Sequence, residues 1–201
     1  MIKNVIFDIG NVLVDFRWKE YLVEKGFSPE IIKRIVMASV ASPYWDEFDR
    51  GALTEAEAMD LFIKLDPGIE KELHEAYDSI VGMLRKRDDA IPWVKALKSA
   101  GYGVYYLSNY SRKAFEECSD TIDFIPYMDG GLLSFQELVI KPDPEIYKRL
   151  LERYNLVAEE CVFIDDTEKN IVAARELGFY GIVHKSYEET RDELAGLGVK
   201  Y

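Results

Sequence analysis

Lys3-Asn4-Val5-Ile6-Phe7-Asp8 places three consecutive apolar residues directly before a carboxylate. A short unbroken apolar run predicts a buried strand over residues 3–7, ending at Asp8. The same pattern returns after Asp89. Val104-Tyr105-Tyr106-Leu107 predicts a strand ending at Ser108-Asn109, and Val162-Phe163-Ile164 predicts one ending at Asp165-Asp166. Helical periodicity fills the intervals. Val94, Leu97 and Ala100 share a face after Pro92 and before the stop at Gly101; Ile146, Leu150 and Tyr154 share one across Glu145–Tyr154. Lys169–Leu177 stops at Gly178 before a last short strand, Gly181-Ile182-Val183. Strands alternating with helices imply an α/β core, a Rossmann-like parallel sheet covered on both faces.

From about Phe16 to Asp89 the signals are helical and no strand-like run stands out. Ser28 and Thr54 sit at helix starts, with Glu57 completing a capping box after Thr54, and Asp66-Pro67-Gly68 is a turn. The expected division is therefore a core of residues 1–15 and 90–201, interrupted by an inserted helical cap at 16–89.

The 201 residues carry 25 Lys and Arg against 37 Asp and Glu, a net charge of −12. Hydrophobic residues at 48% exclude a disordered or fibrous chain. The acidity argues against nucleic acid as a partner, because phosphate backbones need a basic footprint. A small anionic ligand would need locally placed lysines or a metal. Cys118 and Cys161 give neither a disulfide framework nor zinc spacing, and Cys161 reads as a small buried hydrophobe. No apolar stretch approaches the ~20 residues of a membrane span, and the short run before Asp8 does not resemble a signal peptide. The expectation is a cytoplasmic protein of unassigned oligomeric state.

Ligands of open parallel α/β sheets bind at the carboxyl ends of the strands. Here those ends carry Asp8, Ser108-Asn109 and Asp165-Asp166. Lys141-Pro142-Asp143-Pro144 adds an ammonium on a segment that its prolines hold extended before a helix. Clustered carboxylates repel one another unless a cation intervenes, and an all-oxygen set suits a hard ion such as Mg²⁺. A carboxylate can also act as a nucleophile, while Ser, Asn and Lys are donors suited to phosphoryl oxygens. Singly, each residue reads as a helix cap or a solvated charge. Three clusters at three strand ends, with the lysine, point to chemistry.

In order, Val5-Ile6-Phe7-Asp8-Ile9-Gly10-Asn11-Val12-Leu13, Leu107-Ser108-Asn109, Lys141-Pro142-Asp143-Pro144-Glu145-Ile146-Tyr147 and Phe163-Ile164-Asp165-Asp166 resemble the four motifs of the haloacid dehalogenase-like (HAD) hydrolase superfamily. The helical insertion stands where that family's C1-type cap stands. In detail the motifs look like the branch holding bacterial α-D-glucose-1-phosphate phosphatase and the phosphatase domain of soluble epoxide hydrolase. The resemblance implies a Mg²⁺-dependent phosphatase acting on a small phosphorylated metabolite, with a sugar phosphate as the expected substrate. It implies Asp8 as nucleophile and metal ligand, and Asp166 as the second carboxylate on the metal. Asp165 would stand beside it, on the metal or one step behind. Ser108 and Asn109 would bind the transferring phosphoryl group, and Lys141 would neutralise its charge and orient Asp8. Asn170 either supports the metal side of the site or is simply a polar residue in the first turn of a helix.

One departure matters. Most phosphatases of the superfamily carry a second Asp two residues after the nucleophile, as general acid and base. Here that position is Gly10, whose backbone carbonyl can still face the metal but which relays no proton. General acid–base help is typically worth ~10²–10⁴-fold, so its loss implies slow turnover or good leaving groups. Asp15 or a cap residue is a candidate substitute; Asp15 reads equally as a solvated residue or a helix cap. The departure admits a 2-haloacid dehalogenase, whose halide leaves without a proton, although Asp165-Asp166 favours the metal-dependent reading. A weakly catalytic binding or regulatory protein of this fold is a further alternative, against which the intact Asp8, Lys141 and Asp166 argue. A mutase ranks lower, because mutases normally keep the missing Asp.

The cap is expected to choose the substrate. Tyr44, Trp45 and Phe48, with Asp46 and Arg50, form its most distinctive patch, read first as the cap's own core and second as a platform for a sugar ring. Arg17 and Trp18 lie near the hinge. His74 reads as exposed, and neither it nor His184 has metal-ligand spacing.

Overall fold

The structure, a computed structural model, describes all of residues 1–201. The chain begins with strands β1 (Asn4–Phe7) and β2 (Val14–Phe16). Five helices follow: α1 (Trp18–Glu24), α2 (Pro29–Ala38), α3 (Pro43–Arg50), α4 (Glu55–Leu65) and α5 (Glu70–Tyr77). Strand β3 (Leu84–Lys86) leads into α6 (Ala90–Ser99), β4 (Gly103–Ser108), α7 (Arg112–Glu117), β5 (Gly130–Leu133) and α8 (Ser134–Glu137). Then come α9 (Pro144–Tyr154), β6 (Cys161–Asp165), α10 (Glu168–Glu176), β7 (Tyr180–Val183) and α11 (Tyr187–Gly196).

Five strands form one parallel sheet in the order β5-β4-β1-β6-β7. Side chains alternate across a strand, and β1 shows why its run had to be apolar throughout. Val5 and Phe7 enter one core layer with Trp93 and Val94, while Ile6 enters the other with Tyr147, Leu150 and Ile171. Register then sets the site. Phe7 lies opposite Tyr106 on β4 and Ile164 on β6, so Asp8, Ser108 and Asp165 emerge within one residue of the same level.

Three strands, β2, β3 and β5, lie outside the expected set. β5 carries no strand signal in sequence because it opens Gly130-Gly131. A Cβ on Gly131 would stand 2.3 Å from the Tyr106 carbonyl oxygen, so only glycine fits there. The Tyr154 hydroxyl accepts the Gly131 N–H at 2.8 Å and donates to its carbonyl at 3.1 Å, closing the outer edge of the sheet. The second surprise corrects the all-helical reading of 16–89. Leu84–Lys86 pairs antiparallel with Val14–Phe16, Asp15 facing Arg85. Helices α1–α5 all fall between these two strands, so the chain leaves and re-enters the core through one short ribbon.

Local signals behave as their chemistry predicts. The Ser28 hydroxyl accepts the Ile31 N–H, and the Thr54–Glu57 capping box is complete. Both cysteines are buried thiols. No helix is long and apolar enough to cross a membrane.

The turn after α3 is where the helical insertion touches the core most closely. Gly51 has φ +78, and a Cβ there would lie 2.7 Å from the Phe135 carbonyl oxygen at α8. Gly51→Ala should cost at least about 1–2 kcal/mol from the left-handed backbone alone, which is about 2–4 °C of Tm per kcal/mol at this length. A thermal melt checks it; an unchanged Tm would show that the insertion does not rest on α8 through this turn.

Candidate active site

The strand ends meet around one lysine. Lys141 is 1% exposed, yet its ammonium lies 2.8 Å from Asp8 Oδ1 and 2.7 Å from Asp165 Oδ2. Its backbone is gripped by Asn109, whose Oδ1 accepts the Lys141 N–H at 2.7 Å and whose Nδ2 donates to the Lys141 carbonyl at 3.0 Å. The entry to α9 is not the extended segment expected from its prolines: Lys141-Pro142 is a cis peptide inside a turn closed by the Asp143 N–H on the Ile140 carbonyl at 2.9 Å, and Asp143 then caps the helix. Asn109 is thus at the site, but its side chain serves first to fix Lys141. Ser108 is buried at the end of β4, where its hydroxyl donates to the Asn109 carbonyl at 3.4 Å and its presence beside Asp8 eases ionisation of that carboxyl.

The two aspartates after β6 differ. Asp165 is fully buried and saturated: Thr167 N–H donates to Oδ1 at 2.7 Å, Lys141 to Oδ2, and Asn170 Nδ2 to both at 3.1 and 3.0 Å. Asn170 therefore acts on Asp165 and is not a spare polar residue of α10. Asp166 is half-buried and accepts only from Asn11 Nδ2 at 2.9 Å and Thr167 Oγ1 at 3.3 Å. Carboxylate oxygens of Asp8, Asp165 and Asp166 lie within 4.8 Å of one another with a single ammonium among them. That excess of negative charge fits a divalent cation. Asp8 and Asp166 have oxygen lone pairs to offer it, whereas Asp165 is already engaged.

Asn11 and Thr167 escaped the sequence reading. Asn11 stands at φ +54, a conformation asparagine tolerates better than most residues. Its amide spans from Asp166 to the Phe16 N–H, which Oδ1 accepts at 3.1 Å. The signal available was the Gly10-Asn11 pair after a strand.

Above the carboxylates is a cavity of 470 Å³ lined by Asp8, Gly10, Asn109 and Asp166 at one end. Phe16, Trp45, Phe48, Met59, Phe62 and Tyr77 form the apolar wall. The expected cap patch divides here. Trp45 and Phe48 both pack in the core and face the cavity. Asp46 is exposed and Arg50 pairs with Glu47; neither lines the cavity, and nor does Tyr44. Asp15 does not line it either, being paired with Arg85 at 2.7 Å and Arg87 at 3.6 Å on the ribbon. Arg17 is paired with Glu24. His74 is exposed, as expected, and joins Asp78 at the cavity. His184 is buried away from it, bonded to Thr190 at 2.8 Å.

A model of the haloacid dehalogenase-like hydrolases matches residues 2–178. The chain is similar to a sesquiterpene phosphatase of Aspergillus oryzae, 28% identical over 90% of this chain and 88% of the relative. It is also similar to a phosphorylated carbohydrates phosphatase of Thermotoga maritima, 29% identical over 90% of this chain and 86% of the relative. Among solved structures it is similar to a HAD family enzyme of Bacteroides thetaiotaomicron in a magnesium complex. There the TM-score is 0.72 at 25% identity, over 96% of this chain and 98% of that one.

Electrostatically the cluster is short of positive charge. Burial pushes the Asp8 carboxyl up to about 7, with Asp165 adding to the rise and Lys141 opposing it. Burial works against the Lys141 ammonium, but Asp165 and Asp8 outweigh it and hold the lysine above its ordinary range. A carboxyl raised in the native state binds its proton more tightly there than in the unfolded chain. The metal-free protein should therefore gain stability as pH falls below about 7 and lose it as pH rises through that value. Denaturant melts in EDTA on either side of this pH check the sign. Asp8→Asn should flatten the dependence, and an unaltered slope in that variant would place its origin elsewhere.

Proposed function

The chain belongs to the haloacid dehalogenase-like hydrolase family, and from that premise we propose that it is a Mg²⁺-dependent phosphatase of small phosphorylated metabolites working through an aspartyl-phosphate on Asp8. The observation that carries the reading is a cluster of three carboxylates with one buried ammonium, which pairs with Asp8 and Asp165, while Asp8 and Asp166 keep oxygens to give. Asp8, Asp166 and the Gly10 carbonyl are the proposed holders of Mg²⁺, with Asp165 behind them. The ion, when bound, supplies the positive charge the cluster lacks and helps draw phosphoryl oxygens towards Asp8. Residues 16–89 are the proposed cap over this site.

The chain's own residues do the rest. Lys141 opposes protonation of Asp8 and fixes its direction, so that one carboxylate oxygen attacks phosphorus in line. Ser108, Asn109 and Lys141 stabilise the equatorial oxygens as charge spreads over them. Asp165 and Asn170 hold the ammonium in place. Water then cleaves the acyl phosphate and regenerates Asp8.

Two substrate bodies are open to this site. A sugar phosphate agrees with the carbohydrate-phosphatase relative. A phosphate ester with an apolar body agrees with the sesquiterpene phosphatase and with the wall of Phe16, Trp45, Phe48, Phe62 and Tyr77. That wall supports the apolar body, which it would take out of water, whereas ring hydroxyls turned towards aromatic carbon would find no partners on that side.

The test is phosphate release from sugar 1- and 6-phosphates, benzyl phosphate and a prenyl phosphate, with Mg²⁺ and with EDTA. Release should require the metal and vanish in Asp8→Asn, and kcat/KM should be highest for the apolar esters. Release in EDTA, or retained activity in Asp8→Asn, would overturn the mechanism. Halide release from 2-haloacids without phosphate release would replace it with the dehalogenase reading.

A further inference from the structure

The cavity holds one carboxyl that neither an ion pair nor the metal cluster explains. Four other acids line it, and each has a partner. Asp8 has Lys141 and Asp166 has Asn11, while Glu55 pairs with Lys113 at 2.7 Å and Asp78 with His74 at 2.9 Å. Asp49, half-buried near the end of α3, lines the same space and has no cation within ion-pairing distance. The Trp45 side chain, one turn back, is the donor that eases its ionisation.

Its position is held from the core. The Asp49 carbonyl accepts the Ser134 hydroxyl at 2.5 Å, and that hydroxyl in turn accepts the Tyr110 N–H at 2.9 Å. Tyr110 directly follows Ser108 and Asn109. The end of α3 is therefore pinned to the loop that carries the expected phosphoryl-binding residues, and Gly51 against Phe135 closes the contact. At the position where an acid is missing, a Cβ built on Gly10 meets nothing within 4 Å. The floor of the site thus leaves room beside Asp8, and the cap supplies a carboxyl to the same space.

We propose that Asp49 is the general acid and base of the reaction, delivered by the cap in place of the side chain that Gly10 lacks. This rests on the phosphatase reading. In the first half, the Asp8 oxygen bonds to phosphorus as the ester P–O bond breaks, and the Asp49 carboxyl gives its proton to the departing oxygen. In the second, water attacks the aspartyl-phosphate and gives a proton back to Asp49, while phosphate and the Asp8 carboxylate are released. Protons and atoms balance with water as the only co-reactant.

The electrostatic setting suits that cycle. Asp49 faces Asp46 on its own helix, and Asp8 and Lys141 from the core. Asp166, the Glu55–Lys113 pair and the His74–Asp78 pair complete the charged lining. Burial pushes its carboxyl up to about 7; Asp46 and Asp8 add to the rise, and the Trp45 donor and Lys141 oppose it. A group so poised gives a proton and takes one back near neutrality.

The experiment compares first-turnover alcohol release from p-nitrophenyl phosphate and from phenethyl phosphate, with Mg²⁺, in wild type and Asp49→Asn. The nitrophenolate needs no proton to leave, whereas the alkoxide does. Asp49→Asn should slow the phenethyl ester by ~10²–10⁴-fold and leave the nitrophenyl ester unchanged in that first turnover. In wild type, release from the phenethyl ester alone should fall as pH rises through about 7, a readout that needs no variant to fold. Equal slowing of both esters, no slowing of the phenethyl ester, or identical pH profiles would overturn the assignment. If wild type releases phosphate from neither, the phosphatase reading itself has failed.

Discussion

One buried ammonium holds the catalytic edge of the sheet together. β1 and β6 pair in parallel register, which sets Asp8 level with Asp165 at adjacent strand ends. Two carboxylates so placed, both removed from water, would repel each other and favour protonation or separation of the strands. Lys141 sits between them and makes the register tolerable. Removing one partner from such a buried set typically costs about 3–5 kcal/mol, because the remaining charges stay uncompensated. The supporting contacts follow from that demand. Asn109 clamps the lysine backbone from β4, and Asn170 and the Thr167 N–H saturate Asp165 from α10. Four elements converge on one cation, so the geometry offered to a phosphoryl group is fixed before any ligand arrives.

What sequence could reveal follows the same physics. β1, β4 and β6 were legible because a strand buried on both faces must be apolar throughout, so a polar end marks where it emerges. Asp8, Ser108, Asp165 and Asp166 stood out for that reason. β5 was not legible, since Gly131 is selected by a neighbouring carbonyl 2.3 Å from where its Cβ would be, a contact no local pattern encodes. The β2–β3 ribbon is three residues a side and is held by a pair, Asp15 and Arg85, distant in sequence. Asn109 was found, but its grip on Lys141 depends on two loops meeting in space. Asp49 was overlooked among Tyr44, Trp45, Phe48 and Arg50. What distinguishes it is which side of α3 faces the cavity, and Asp46 and Arg50 are equally acidic or charged in sequence yet lie off it.

The insertion makes one set of aromatics do two jobs. Trp45, Phe48, Phe62 and Tyr77 pack against one another, Trp45 lying 5.9–6.3 Å from the other three ring centroids, and the same rings wall the cavity. A packed aromatic wall excludes water, which strengthens every charge interaction inside. It also changes what an acid placed there can do. A carboxyl on the polar floor beside Lys141 and a bound cation would be drawn towards its ionised form. On the apolar wall the same group is drawn towards its protonated one, ready to donate. With the proposed nucleophile on the floor beside a bound cation and the proposed acid on the wall, the two carboxyls would be drawn towards opposite protonation states.

That division would tie the proposed chemistry to the proposed cap. Asp8 is positioned within the core by β1 and Lys141, whereas Asp49 is held at the cavity by the rest of the end of α3 on Ser134 and Phe135. With that contact broken, the floor could still bind phosphate but would have no group to protonate an alkoxide or activate water. A body that fills the aromatic wall would strengthen the seating of α3 on the core by burying apolar surface, at roughly 25 cal/mol per Å². Binding energy from the part of the substrate that does not react would then hold the proton donor in place, so fit to the cap would be expressed in the rate of bond cleavage as well as in affinity.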